Sequence, residues 1–110
     1  MGRFVKGAVV VIPFPFSDLS QSKRRPALVV APLEGNDAIL CQITSKAIKD
    51  KYAISIDEAD FESGGLRQAG NIRPNRLFTA DNRIILYLVG VIKKDKLAQA
   101  IEKVVEIIRE

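Results

Sequence analysis

Pro26, in the stretch KRRPALVV, places the tightest constraint on this chain. Its ring disfavours a helical backbone at Arg25 and pushes that residue toward extended geometry. Pro26 also has no N–H to give to a sheet, which suits the first residue of a strand. Residues 27–32 then read as a buried strand, because they are continuously apolar and include Val29 and Val30. Arg25 is therefore expected where a polar loop becomes a fixed strand. A guanidinium mounted there can present its fork of donors to a phosphate. The plainer reading is a surface arginine beside a core strand.

The rest of the chain repeats this pattern of short apolar runs between turn signals. Residues 4–13 read as a first strand marked by Val9, Val10 and Val11. Phe14 and Phe16 lead out of it, with core packing as their default role and base stacking as the alternative. Residues 17–23 (SDLSQSK) form a polar loop whose one carboxylate is Asp18, either a site residue or a turn former. After the turn Glu34-Gly35-Asn36-Asp37, residues 38–43 read as a third strand. Alternation puts Gln42 and Thr44 on one side of it. Residues 52–56 read as a fourth strand and 57–62 as a solvated acidic turn. Residues 63–65 (SGG) read as another turn. Residues 71–78 (NIRPNRLF) read as a strand at an edge or a bulge because of Pro74, with Asn71, Arg73 and Asn75 on one face. Residues 84–92 read as the last strand. Asp95 is placed as the N-cap of a closing helix over 96–108, whose Leu97, Ile101, Val104, Val105 and Ile108 fall at helical spacing.

Short strands followed by one helix predict a mainly β (α+β) fold: a small, strongly curved β-barrel with a helix packed on it, as a single domain over 1–110. A chain of 110 residues can bury a core without disulfides. Its one cysteine, Cys41, allows no internal disulfide, suits a reducing cytoplasm, and reads as an inert buried thiol. The longest apolar run is too short to span a bilayer, so no membrane partner is expected.

Composition removes whole classes of chemistry. There is no histidine, hence no Ser-His-Asp or Cys-His nucleophile and no histidine-ligated zinc. The acidic run at 57–62 does not fit a calcium loop, since Glu62 stands where the glycine should be. The Gly64-Gly65 turn lacks the Gly-Lys-Ser/Thr ending of a phosphate loop. No metal or cofactor is called for. A net charge of +4 permits an anionic partner and helps attract one.

Taken together, KGAVVVIPFPFSD, KRRPALVV, CQITS and NIRPNRLFTAD, in this order and spacing, resemble the MazF/PemK (Kid) toxins of type II toxin–antitoxin systems. The resemblance covers nearly the whole chain. It implies an SH3-like barrel of the CcdB/MazF type and a homodimer. It also implies a metal-independent, sequence-selective endoribonuclease that cuts single-stranded RNA by 2′-OH attack, leaving a 2′,3′-cyclic phosphate and a 5′-hydroxyl. Carried over by motif, Arg25 and Thr44 are the catalytic pair. Arg73 and Asn75 line the RNA groove, with Lys23, Arg24, Gln42, Ser45, Arg76 and Asp18 beside them. Asn75 stands where some relatives carry an aspartate, and an amide cannot remove a proton. The resemblance also implies an antitoxin partner, whose blocking segment would be acidic and partly disordered. The alternative is a non-catalytic, CcdB-like barrel that binds a protein target such as a topoisomerase, since fold alone does not fix function.

Overall fold

The computed structural model describes residues 4–15 and 22–110. Asp18 and Phe16 lie outside the described residues. β1 (Ala8–Pro15), β2 (Ser22–Pro32) and β3 (Asp37–Thr44) pair antiparallel in succession. β4 (Ile54–Ile56), β5 (Phe61–Gly64), β6 (Gly70–Asp81) and β7 (Tyr87–Ile92) complete one curled sheet, ordered β4-β6-β3-β2-β1-β7-β5. One helix, α1 (Lys94–Arg109), follows. This is the expected mainly β half-barrel with a C-terminal helix.

The middle stretches of the central strands are apolar because both of their faces are covered. Val9, Leu28, Val30, Cys41, Ile43 and Ile72 pack on one side, joined by Ala100 and Leu97 from α1. Val10, Ile12, Ala27, Val29, Ala38 and Leu40 alternate onto the other side, with Phe14 and Phe78 against them. Those two rings meet edge to face at 5.0 Å between centroids, a favoured aromatic geometry. Phe14 thus takes the core role.

Several elements differ from the sequence expectation. β2 begins at Ser22, so Pro26 lies inside a strand rather than at its start. Residues before Ala27 pair with β1 alone, and an edge of this kind tolerates proline. Residues 61–64, expected as turn, form β5 against β7. That pairing needs glycine: a Cβ on Gly90 would collide with the Ser63 carbonyl oxygen, and one on Gly64 with the Val89 carbonyl oxygen. The acidic segment before β5 is a short 3-10 turn held by a capping box between Asp57 and Asp60. β7 starts at Tyr87, because Asn82–Ile84 form a second 3-10 turn capped by Asp81. The N-cap of α1 is Lys93 rather than Asp95, which sits in the first turn, where its charge suits the helix dipole.

Candidate active site

Register brings the polar positions together. Ala27 lies opposite Gln42, and Gln42 opposite Arg73. Thr44 lies opposite Asn71. The β2–β3 pairing ends at Ala27–Gln42; by alternation along each strand Arg25 shares the face of Ala27, and Thr44 that of Gln42. Directly opposed residues share a face in an antiparallel pair. One end of the sheet face that carries Ala27, Val29 and Leu40 therefore turns polar: Arg25, Gln42, Thr44, Asn71 and Arg73.

Arg25 and Thr44 also line one cavity of about 680 Å³. Its walls come from β1 (Val11), β2 (Arg24, Arg25, Pro26) and the end of β3 (Ile43, Thr44, then Ser45). The β5–β6 connection adds Leu66, Arg67 and Gln68, and β7 adds Tyr87, Leu88 and Val89. Among the described lining residues there are three arginines and no carboxylate. Such a lining attracts an anion, and low-dielectric walls strengthen that field.

Thr44 is the only buried polar residue among those described, at 7% exposure. Its hydroxyl oxygen accepts the Lys46 backbone N–H at 3.2 Å. One acceptor position of the hydroxyl is thereby used, and its O–H remains to donate. Asn71 donates from Nδ2 to the Lys46 carbonyl at 3.1 Å, fixing the same residue from the other strand.

Arg73 is paired within the fold. Its Nη2 donates to Asp50 Oδ2 at 2.9 Å, and its Nε is buried with no partner. Asp50 also accepts the Tyr52 and Ala53 amides, each at 3.0 Å. Partial desolvation pushes the Asp50 carboxyl up, but the Tyr52 and Ala53 amides and the Arg73 guanidinium outweigh it, holding the group below its ordinary value of 3.8. Asn75 and Arg76 are exposed in the segment where β6 departs from its β3 register. Arg24, Arg25, Thr44 and Ser45 line the cavity; Lys23, Gln42, Arg73, Asn75 and Arg76 are not among its lining residues. Asp18 lies outside the described residues.

Arg67, Gln68, Asp50 and Tyr87 escaped the sequence reading. Arg67-Gln68 sits in a loop without a motif, and only the curl of the sheet carries it to β2 and β3. Asp50 had a weak signal: a lone aspartate two and three residues before the amides it caps, the pattern of an Asx turn.

Solved structures of similar fold extend over nearly the whole chain. An endoribonuclease from a mycobacterial species matches 99% of this chain and 94% of its own, with a TM-score of 0.75 at 12% identity. MazF from Deinococcus radiodurans is 21% identical over 100% of both chains, with a TM-score of 0.75. A MazE–MazF structure from the same organism covers 94% of each chain at 20% identity and the same TM-score of 0.75. No curated protein sequence matches the chain. The family model for the PemK-like, MazF-like toxin of type II toxin–antitoxin systems matches residues 5–108, and the chain belongs to that family.

Proposed function

We propose that this toxin is an endoribonuclease that cuts single-stranded RNA in the cavity between β2, β3 and the β5–β6 connection. The observation that carries this reading is the pairing of Arg25 and Thr44 in a cavity with three arginines and no described carboxylate. In the reaction the ribose 2′-oxygen attacks the adjacent phosphorus. The 2′-O–P bond forms and the P–O5′ bond breaks. The 2′ proton leaves to water and the departing 5′ oxygen gains one. The products are a 2′,3′-cyclic phosphate and a 5′-hydroxyl. Negative charge on the phosphoryl oxygens peaks in the transition state, where preorganised donors act most strongly. Arg25 offers two N–H groups and Thr44 one O–H. Arginine stays protonated near neutral pH, so it serves as an electrostatic clamp and not as a base.

Arg24 and Ser45 line the same cavity and hold the flanking phosphates or sugars; Arg67 and Gln68 face the bases from the opposite connection. Lys23 and Arg76 extend the cationic surface, while Gln42 and Asn75 offer amides to bases. Asp18 remains a proposed contact of the β1–β2 loop. The reaction needs no metal: Arg25 and Thr44 supply the charge neutralisation a cation would otherwise give.

Two partners fit this reading. A second copy of the chain would cover Leu86, Tyr87 and Leu88, whose apolar side chains are exposed on and just before β7. An antitoxin with an acidic, partly disordered segment would neutralise the arginines and block the cavity. The Deinococcus radiodurans relative is solved as MazE–MazF, in keeping with such a pairing.

The test is incubation with long, unstructured RNA in excess chelator, followed by mapping of the new ends. Cleavage with cyclic-phosphate and 5′-hydroxyl ends is expected, and Arg25→Ala should abolish it while the circular dichroism spectrum is kept. Intact RNA across several sequences would overturn the proposal and favour the protein-binding alternative.

A further inference from the structure

Five hydrogen bonds converge on the loop that follows β3. Asp50 caps the turn at Tyr52 and Ala53 and is held by Arg73 at 2.9 Å. Asn71 grips the Lys46 carbonyl at 3.1 Å. The Lys46 amide, in turn, donates to the Thr44 hydroxyl oxygen at 3.2 Å. Arg73 and Asn71 both stand on β6, opposite Gln42 and Thr44. The loop is thus tied to one rigid strand at its beginning and at its end.

We infer that Arg73, Asp50 and Asn71 form a positioning clamp that fixes residues 45–53 and, through the Lys46 amide, the direction of the Thr44 O–H. The inference rests on the RNase reading for its catalytic consequence. It gives Arg73 a task other than holding RNA. The guanidinium is mostly buried, with its side chain 14% exposed, and its charge is matched by Asp50. A cation placed to grip a phosphate would need that charge exposed to the ligand. Here it is spent within the molecule, two residues along β6 from the Asn71 that holds Lys46. A Thr44 hydroxyl with no Lys46 donor would be free to turn its own proton onto a backbone carbonyl instead of a phosphate. Small errors of placement cost catalysis heavily, up to about 10²-fold for displacements near 1 Å.

The two roles for Arg73 make opposite predictions for Asp50→Asn. Asp50 lies in an exposed loop, so the variant keeps the core intact. The measurements are the single-turnover cleavage rate, the affinity for an RNA with a 2′-deoxy sugar at the cut position, and hydrogen exchange at the Lys46 amide. A clamp predicts a cleavage rate lower by roughly 10–100-fold, affinity within about twofold, and faster Lys46 exchange. Asn71→Ala should do the same. The reversed pair, Asp50→Arg with Arg73→Asp, should recover part of the rate. Tighter RNA binding in Asp50→Asn with the cleavage rate kept would mean that a released Arg73 contacts RNA, and would overturn the clamp. If the parent protein cuts no RNA, the RNase reading fails, but Lys46 exchange still decides the clamp: unchanged exchange in both variants sinks it.

Discussion

The Lys46 backbone amide donates to the Thr44 hydroxyl oxygen over 3.2 Å, and this contact leaves the Thr44 proton as the group's one hydrogen for a ligand. The side chain is buried, so its rotamer is held by packing as well as by that bond. Thr44→Ser keeps both the acceptor and the donor and should retain most of the cleavage rate. Thr44→Val keeps the shape and removes the hydroxyl. Its rate should fall by about 10²–10³-fold, the usual loss for one transition-state donor. Single-turnover kinetics on one RNA distinguishes the two. Equal rates for Ser and Val would remove Thr44 from the chemistry.

Arg67 and Gln68 line the cavity from the β5–β6 connection, together with residues of β2 and β3. Recognition of single-stranded RNA depends on hydrogen bonds to splayed base edges and on stacking. Arg67→Ala and Gln68→Ala should therefore change which sequences are cut more than how fast the best one is cut. Sequencing of the new 5′ ends from a complex RNA pool would check this. An unaltered cut-site profile in both variants would place base reading elsewhere.

Leu86 and Leu88 flank Tyr87, and all three are exposed at a strand that also borders the cavity. Apolar groups left at the surface in such a cluster favour self-association. Leu86→Asp with Leu88→Asp should convert a dimer to a monomer in sedimentation equilibrium. A parent protein that is already monomeric at high concentration would contradict the dimer.

Burial pushes the Cys41 thiol up to about 12 from an ordinary 9.0. The folded thiol is therefore neutral where the unfolded one ionises, and the unfolded state loses protons first as pH rises. This contribution is constant below pH 9.0 and costs stability progressively between 9.0 and about 12. The thiolate is also the reactive form. Alkylation at pH 8 should be negligible in the native protein and rapid in denaturant, with Cys41→Ala lessening the alkaline loss of stability. Fast native labelling would show that the thiol is open to solvent.

The strand-rich class, the closing helix and the family could all be read from local pattern. Runs such as AVVVI and ALVV can satisfy their side chains only by covering both faces of a sheet, and their alternation is fully local information. Arg25 beside Pro26 and Thr44 at a strand end were legible for the same reason, since each is defined by its own strand. What these residues face depends on how the strands are assembled in space. β5 was hidden because Phe61 is its one large apolar residue, and the rest of the strand depends on pairing with β7 and on the Gly64–Gly90 approach. Arg67 and Gln68 reach the cavity only because the sheet curls. Alternation placed Arg73 on a polar face with Asn71 and Asn75, and only the resemblance assigned it to a groove. Its partner, Asp50, is remote in sequence, and a charge takes its role from the nearest opposite charge in space, which no periodicity encodes.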